Sequence, residues 1–460
     1  MSETMIQMAQ RASRCAEEIR KHKEVQLVSH IDADGISSAA IIARAFERAG
    51  IEYDMLFVKQ LDEAIVRELA DDNPELVIFT DLGSGQIEHI NKYGLHAVIA
   101  DHHRPQGDME LHLNPHLFGA NGSFEISGSG AAFILAGQLG GNRDLADLAI
   151  VGCIGDMQYR KYGKLVSLNR EILNDNPEVI ASKTDISLFG KQTRPVYKML
   201  QYSSDPYLPG LTGNENACID FLKKIGFRCA EDERWRRWID LSEEERIKVT
   251  SSILQYSVQN GLSSYSVNRL VGECYILLRE KEGTEMRDAS EYATLLNATG
   301  RYMKAEIGMA VCMGDRGEAY EDSKKLLGEH RKNLVDGLNF VKEKGVTQLS
   351  HLQYFDAGSS IPETIVGIVA GMSHASGNRR LPIVAFADKD DGYKVSARGT
   401  QELVNRGLNL SEAISQVCQE IGGAGGGHDI AAGATVPFGK KEEFIERLNA
   451  IIATQTSGRV

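Results

Sequence analysis

Three short apolar runs, each followed at once by acidic residues or histidines, constrain the fold of this chain more than any other feature. The runs occupy residues 25–28, 76–79 and 97–99. Continuous apolar runs of this length are typical of strands buried on both faces of a parallel sheet. Helical patterns separate the runs, and regular strand–helix alternation predicts parallel strands joined by right-handed crossovers. The first part of the chain is therefore predicted to be an α/β domain.

Side chains with metal-binding chemistry follow each predicted strand. The groups are His30-Ile31-Asp32-Ala33-Asp34, Asp81 and Asp101-His102-His103, and Asp156 follows a strongly apolar predicted helix. Since ligands bind outside the carboxyl ends of the strands in open α/β sheets, we expect these side chains to converge at one edge. Carboxylate and imidazole donors that converge predict a site for Mn²⁺, Mg²⁺ or Zn²⁺.

Each group also has a purely structural interpretation. Asp32 or Asp34 would cap the helix that begins near Gly35, and Asp81 would cap the following helix in the same way. Adjacent histidines after a strand, as in the third group, have no obvious packing role. An acid at the end of an apolar helix, such as Asp156, needs a partner. Four such groups at successive sheet ends favour a metal site over a structural account.

The last part of the chain contains a run of glycine and alanine over residues 422–427, followed by His428. One interpretation of this run is a flexible loop. The alternative is an anion site, since glycine lets backbone N–H groups approach a phosphate without interference from side chains. His428 and Arg398 would then contact the phosphate, and the guanidinium has the donor geometry for it.

Composition limits the classes of function. The chain has 460 residues and a formal net charge of −13, which argues against a non-specific polyanion binder without excluding one. No apolar run reaches the ~18 residues of a membrane span, and the first 20 residues lack the apolar core of a signal peptide. The seven scattered cysteines form no CxxC pair and indicate a reducing compartment. We therefore expect a cytoplasmic protein with no membrane partner.

The patterns divide the chain into three predicted segments: a catalytic domain at 1–200, a mainly helical insertion or linker at 201–268, and a smaller α/β domain at 269–460. Residues 163–200 and 215–260 are predicted to be helical, and residues 305–313 to be a strand. The insertion contains Arg234-Trp235-Arg236-Arg237-Trp238. These tryptophans either stack on nucleic-acid bases or, as their spacing favours, belong to a core or an interface.

Taken together, the motifs resemble those of a known superfamily. The groups His30-x-Asp32-x-Asp34, Asp81, Asp101-His102-His103 and Gly155-Asp156 resemble the four motifs of the DHH phosphoesterases. The glycine-rich run that ends at His428 resembles the GGGH signature of the accessory DHHA1 domain. Length and layout are most similar to the archaeal RecJ-like nucleases. Relatives of that branch associate with the GINS complex at replication forks and are kin to a eukaryotic replicative helicase subunit that has lost its metal ligands.

The resemblance implies a parallel-sheet DHH domain that faces a smaller α/β DHHA1 domain across a cleft. It also implies a centre of two metal ions, usually Mn²⁺, with Mg²⁺ as the alternative. One ion would be held by His30, Asp32 and Asp81, and the other by Asp34, Asp81, His102 and Asp156, with Asp81 bridging them. As catalytic groups the resemblance implies Asp81, His103 at the scissile phosphate, and Asp101, which would orient a neighbouring histidine. The implied substrate contacts are His103, Arg398, Gly425, Gly426, Gly427 and His428.

The function expected from this resemblance is that of a metal-dependent exonuclease, which hydrolyses single-stranded DNA or RNA to mononucleotides in DNA replication or repair. Two alternatives stay open. A small-substrate phosphoesterase would act on oligonucleotides, cyclic dinucleotides or pAp, and the acidic net charge favours it. A replisome scaffold would bind single-stranded nucleic acid, GINS or other replisome proteins, although the complete ligand set counts against a purely structural role.

Overall fold

The structure is a computed structural model that describes residues 2–203 and 206–457, and packing divides the chain into two units, Met1–Leu327 and Gly328–Val460. Ser204 and Asp205, at the start of the predicted insertion, lie outside the described residues. The boundaries predicted after residues 200 and 268 stay predictions, because a division by packing does not establish which segments fold independently.

The first unit alternates strands and helices. Its helices are α1 (Glu3–Ile19), α2 (Ala33–Ala49), α3 (Glu63–Asp71), α4 (Ile87–Lys92), α5 (Gly128–Leu139), α6 (Ala146–Gly155), α7 (Ser167–Asn174), α8 (Val196–Gln201), α9 (Glu215–Lys224), α10 (Glu243–Gln259), α11 (Ser264–Asn268), α12 (Ala289–Arg301) and α13 (Ala305–Cys312). Its strands are β1 (Glu24–His30), β2 (Glu52–Val58), β3 (Val77–Thr80), β4 (Ala97–Ala100), β5 (His112–Leu113), β6 (Ile180–Ile186), β7 (Ala230–Glu231), β8 (Arg234–Trp235) and β9 (Val271–Leu277). The division between the units falls inside α14 (Glu318–Lys344).

Strands β1 to β5 form one sheet in the order β2-β1-β3-β4-β5, and every neighbouring pair is parallel. The inner strands β3 and β4 are buried on both faces, as their apolar runs predict, whereas the edge strand β2 is exposed on one face. Ile78 packs in one core with α1, α2 and α5, whereas Val77 and Phe79 pack in another core with α3 and α4. The predicted parallel α/β architecture is confirmed for this part of the chain.

Strands β6 and β9 pair antiparallel and bracket residues 187–270. The bracketed segment has its own apolar core, and it is mainly helical, as predicted, although the β7–β8 hairpin interrupts the helix expected over 215–260. Trp238 is buried in this core and its indole N–H donates to Asp185 Oδ1 at 3.0 Å. The core interpretation is thus confirmed for Trp238, while Trp235 is 40% exposed.

Two secondary-structure predictions in the first unit are wrong. Residues 180–186, expected to be helical, form β6, because they pair with β9 almost ninety residues further along the chain. Residues 305–313, expected to be a strand, form α13 instead. Gly308 of α13 lies against Thr299 and Ile36 with no room for a side chain. A short apolar run does not distinguish a strand from a buried helix, and here helix packing decides.

The second unit is a smaller α/β unit, as predicted. Its strands are β10 (Thr347–Gln348), β11 (Gln353–Asp356), β12 (Ile383–Lys389), β13 (Gly392–Arg398), β14 (Ala424–Gly427) and β15 (Ala431–Val436). Its helices are α15 (Val366–Ser376), α16 (Gln401–Asn405), α17 (Leu410–Ile421) and α18 (Lys441–Ser457). The sheet order is β10-β11-β12-β13-β15-β14, with only β11 and β12 parallel. Across residues 2–203 and 206–457, every helix is too short or too polar to cross a membrane.

The glycine run of the second unit is mostly strand β14, so its interpretation as a flexible loop is wrong. A side chain on Gly425 would come within 2.7 Å of Ile414 on α17 and 2.9 Å of Ala434 on β15. Glycine is required here because the helix packs directly on the strand backbone.

Candidate metal centre

The carboxyl ends of β1, β3 and β4 bring the predicted site residues to one edge of the first sheet. His30 is the last residue of β1, Asp81 follows β3, and Asp101 follows β4. The chain continues from β1 to β2 on one side of β1, and then returns to place β3 on the other side. The edge between β1 and β3 is therefore a topological switch point, which is where open α/β sheets bind ligands.

Asp81 occupies a strained backbone position. Its φ is +58°, in the left-handed region that non-glycine residues rarely adopt, and the residue is 2% exposed. Such a conformation costs about 1–3 kcal/mol, persists only where the surrounding structure enforces it, and clusters at functional sites.

His30, Asp32 and Asp81 form the first ligand group. His30 Nδ1 lies 3.1 Å from Asp32 Oδ2 and 3.8 Å from Asp81 Oδ2. Asp32 also caps α2, since its Oδ1 accepts from the Gly35 N–H at 3.0 Å. The capping interpretation is thus confirmed for Asp32, and it leaves Oδ2 facing His30.

Asp34, His102 and Asp156 form the second ligand group, and their donor atoms lie within 4.8 Å of one another. The Asp34 carboxylate is held from behind by the backbone N–H groups of Gly128 and Ser129, at 2.8 and 3.0 Å, at the beginning of α5. This is the favourable place for an anion on a helix. His102 Nε2 lies 3.7 Å from Asp34 Oδ2, and Nδ1 lies 3.8 Å from Asp156 Oδ2.

The two groups meet between His102 and Asp81. His102 Nδ1 lies 2.6 Å from the carbonyl oxygen of Gly122, which only accepts, so Nδ1 carries a proton. In a neutral imidazole Nε2 then presents a lone pair, and it faces Asp81 Oδ1 at 3.2 Å. Asp81 Oδ1 is fully buried and accepts no hydrogen bond from the residues that the structure describes. Two facing acceptors need either a proton or a metal cation between them, and the carboxylate and imidazole donors gathered here fit Mn²⁺ or Mg²⁺.

The pKa values reflect the same concentration of negative charge. Burial, reinforced by the charges of Asp34 and Asp32, raises the pKa of Asp81 well above its usual range. Burial would lower the pKa of His102, but the surrounding carboxylates, Asp156 foremost, raise it to about 9. Burial raises the pKa of Asp156 to about 6, with the His102 charge opposing the shift. A divalent cation would offset the repulsion that otherwise makes these groups retain protons.

Asp101 and His103 form a pair beside this cluster. Asp101 Oδ1 accepts from His103 Nδ1 at 2.8 Å, and Oδ2 accepts from the Ser84 N–H at 3.0 Å. Burial would lower the pKa of His103, but the Asp101 carboxylate raises it to about 9. The His103 ring centroid lies 4.4 Å from that of His102, and the side chain of His103 is exposed. The pair thus places a protonated imidazole at the solvent side of the cluster.

Three residues that support the cluster are absent from the sequence prediction. A Cβ on Gly128 would come 2.4 Å from Asp81 Oδ1, and a Cβ on Gly152 would come 2.4 Å from Asp34 Oδ1. Gln158 Nε2 donates to the Gly122 carbonyl at 2.7 Å and to Asp156 Oδ2 at 2.9 Å. The small residues around Gly128 were the only sequence feature that pointed to these supporting positions. No sequence feature points to Gln158, because its role depends on its tertiary contacts.

Replacing Gln158 with alanine is expected to lower the affinity for Mn²⁺ by about 10–100-fold, because Gln158 fixes both Asp156 and the carbonyl that orients His102. Calorimetric titration with Mn²⁺ measures this affinity. Gln259→Ala, at the exposed end of α10, is the matched control and should bind as the wild type does. An unchanged affinity in Gln158→Ala would show that the cluster orients itself without this side chain.

The remaining predicted residues lie in the second unit and share one end of its sheet. Arg398, at the end of β13, pairs with Ala431, and Gly427 of β14 pairs with Ala432. Arg398 is half-buried, while His428 follows β14 and is exposed. The structure brings Arg398, the glycines and His428 to the same sheet end, and their contact with phosphate stays a prediction.

Family models match three segments of the chain. They are the DHH family N-terminal domain over residues 24–153, the DHH-CID domain over 188–271 and the DHHA1 domain over 349–454. An uncharacterized protein of Methanocaldococcus jannaschii is 34% identical over 442 residues, which cover 94% of both chains. The single-stranded-DNA-specific exonuclease RecJ of Bacillus subtilis is 23% identical, and the match covers 96% of this chain and 47% of RecJ.

Solved structures show the same fold at low sequence identity. RecJ of Thermus thermophilus in complex with Mn²⁺ matches with a TM-score of 0.60 and 17% identity, over 97% of this chain and 55% of RecJ. A structure of RecJ from the same organism contains Mg²⁺. CDC45 of Entamoeba histolytica matches with a TM-score of 0.65 and 13% identity, over 97% and 99% of the two chains. The chain thus spans about half the length of these RecJ proteins. With its DHH, DHH-CID and DHHA1 segments and its RecJ-like fold, the chain belongs to the DHH family of phosphoesterases.

Proposed function

We propose that the chain is a two-metal phosphodiesterase, and specifically a RecJ-like exonuclease that hydrolyses single-stranded DNA or RNA to mononucleotides. One observation carries the proposal. Two groups of carboxylate and imidazole donors meet at Asp81, whose buried Oδ1 accepts no hydrogen bond within the described part of the chain. An unpartnered carboxylate oxygen between two ligand groups is what an ion-bridging residue requires.

In this proposal His30, Asp32 and Asp81 hold one ion, and Asp34, Asp81, His102 and Asp156 hold the other. Mn²⁺ or Mg²⁺ fits these oxygen and nitrogen donors. Such a pair, when bound, supplies an activated water at neutral pH and neutralises charge on the phosphate.

The chain's own residues position and stabilise the reacting phosphate. His103 stays protonated because Asp101 accepts from its Nδ1, so its Nε2–H is free to donate to a phosphate oxygen as charge develops there. Asp101 is a positioning residue, since it acts through His103. Arg398, Gly425, Gly426, Gly427 and His428 would contribute further phosphate contacts.

The class of substrate is inferred from the relatives. The Bacillus protein is named as an exonuclease specific for single-stranded DNA, and its match covers 96% of this chain. A role in DNA replication or repair follows from that activity. A small-substrate phosphoesterase stays the alternative that the net charge of −13 favours.

The likeness to CDC45 supports a second candidate, a replisome scaffold that binds GINS or related proteins. That likeness extends over nearly the full length of both chains. A scaffold has no need for a complete set of metal donors, so the cluster around Asp81 favours catalysis.

Hydrolysis by the purified chain tests the proposal directly. A single-stranded oligomer of ~20 nucleotides, longer than the footprint of a typical single-strand-binding module, is labelled at its 5′ or its 3′ end and incubated with Mn²⁺. A dinucleotide serves as the competing substrate. We expect mononucleotides from the oligomer, and the two labels then give the polarity of cleavage.

The other outcomes select between the alternatives. Turnover of the dinucleotide alone would replace the exonuclease with a small-substrate phosphoesterase. No turnover of either substrate, with Mn²⁺ bound, would leave the scaffold as the best account.

A further inference from the structure

The opposite edge of the first sheet carries a second group of imidazole and carboxylate side chains, which the proposed function does not use. Glu18 lies in the last turn of α1, His22 precedes β1, and His96 directly precedes β4. All three thus lie near the amino ends of strands, whereas Asp81 lies at the carboxyl ends. β1 alone has seven residues, which corresponds to about 20 Å between the two edges.

One carboxylate oxygen and two imidazole nitrogens converge in this group. Glu18 Oε1 lies 3.6 Å from His22 Nε2 and 3.5 Å from His96 Nε2, and all three atoms lie within 4.8 Å of one another. Zinc bonds of ~2.0–2.1 Å at tetrahedral angles separate neighbouring ligand atoms by about 3.3 Å. The observed separations are close to this value, and they are longer than hydrogen bonds.

The other nitrogen of each ring already has an acceptor. His22 Nδ1 lies 3.2 Å from Glu75 Oε2, and His96 Nδ1 lies 3.2 Å from the backbone carbonyl of Glu75. Because a carbonyl or carboxylate oxygen only accepts, both Nδ1 atoms carry protons. In the neutral rings both Nε2 atoms then present lone pairs to the shared space. Metal-binding histidines are oriented in this way by an oxygen acceptor behind the ring.

Two further details leave the centre of the group open to a cation. His22 Nε2 is buried and has no hydrogen-bond partner among the described residues. Lys21 Nζ binds the other Glu18 oxygen, Oε2, at 2.6 Å, so that Oε1 stays directed at the histidines.

We propose that Glu18, His22 and His96 bind one Zn²⁺ ion, with solvent as the fourth ligand. Two histidines and one carboxylate are an established zinc donor set. Because the ligands come from α1, from the residues before β1 and from the residue before β4, the ion would tie the end of α1 to the amino edge of the sheet. Its role would be to stabilise the domain, since it lies far from Asp81.

Metal content and spectroscopy of the full chain test this site independently of hydrolysis. The test compares the wild type with His22→Ala/His96→Ala and with Glu18→Gln, which keeps the shape of the side chain. His89→Ala is the matched control, because His89 is a half-buried histidine outside both groups. All four proteins are loaded with Zn²⁺, or with Co²⁺ as a spectroscopic substitute, and then dialysed.

We expect the wild type and His89→Ala to retain one more Zn²⁺ per chain than the double variant, and to show the intense visible absorption of tetrahedral Co²⁺. Glu18→Gln loses the charge of a direct ligand, so it should weaken Zn²⁺ binding by at least the ~10–100-fold that loss of an outer-shell contact costs, while remaining folded. Zn²⁺ should raise the melting temperature of the wild type by about 2–5 °C, and that of the double variant by less. Equal Zn²⁺ content in all four proteins, or a Co²⁺ spectrum unaffected by the substitutions, would overturn the proposal.

Discussion

Replacing Asp81 with asparagine is expected to lower Mn²⁺-dependent hydrolysis by about 10³-fold or more, while the protein still binds single-stranded nucleic acid. The substitution keeps the size of the side chain and removes the charge that both ligand groups share. Losing the bridging carboxylate should forfeit several kcal/mol of transition-state stabilisation, and each 1.36 kcal/mol corresponds to a factor of ten in rate.

The same variant makes a second prediction, about stability. Burial and the nearby Asp34 and Asp32 charges raise the pKa of Asp81, so a charged Asp81 is costly when no ion is bound. Asp81→Asn removes this repulsion, and the melting temperature of the metal-free variant should be no lower than that of the wild type. Mn²⁺, which should raise the melting temperature of the wild type, should have little effect on the variant.

Single-turnover hydrolysis and thermal denaturation with and without Mn²⁺ measure both effects. Asp71→Asn, at the exposed end of α3, is the control and should behave as the wild type in both experiments. Full hydrolysis by Asp81→Asn would contradict the assignment of Asp81 as a bridging ligand. Retained partner binding by the inactive variant would instead be compatible with an additional scaffold role.

The grouping of the site residues at one edge of the sheet was predictable, because it depends on local sequence. Each of β1, β3 and β4 contains a short apolar run, and the acidic or histidine residues directly after each run can be read from the sequence. Parallel pairing then brings His30, Asp81 and Asp101 to one edge, whatever the details of the helices. Asp32 illustrates the limit of this reasoning. The capping and metal-binding interpretations were posed as alternatives, whereas the structure gives one carboxylate oxygen to the cap and directs the other at His30.

Contacts between distant segments were not predictable. β6 is a strand only because β9 pairs with it, and α13 is a helix because it packs against α2 and α12. Gln158 acts through Gly122, which is remote in sequence. Nothing in the sequence indicates that Glu18 lies between His22 and His96. In each case the missing information is a tertiary contact, not a local propensity.

Replacing Gly128 with alanine is expected to lower the affinity for Mn²⁺ by at least about 10–100-fold, comparable to the loss of an outer-shell contact. The added Cβ would lie 2.4 Å from Asp81 Oδ1, so Asp81 or the beginning of α5 has to move. Alanine keeps the backbone N–H that donates to Asp34. The loss of Mn²⁺ affinity would therefore result from the filled space beside Asp81 and not from a lost hydrogen bond. Overpacking of this kind also costs about 1–3 kcal/mol of stability.

Gly137→Ala provides a matched control for this prediction, because it introduces the same methyl group into the same helix. A Cβ at Gly137 meets no atom within 4 Å, so this variant should keep the wild-type Mn²⁺ affinity and gain about 0.5–1 kcal/mol of stability from its helix propensity. Calorimetric titration with Mn²⁺ and chemical denaturation of both variants separate the two effects. If Gly128→Ala binds Mn²⁺ as tightly as Gly137→Ala does, Asp81 tolerates displacement, and the close approach of α5 is not what positions the shared ligand. A selective loss in Gly128→Ala would show that the helix backbone, packed against a buried carboxylate, holds the centre of the site in place.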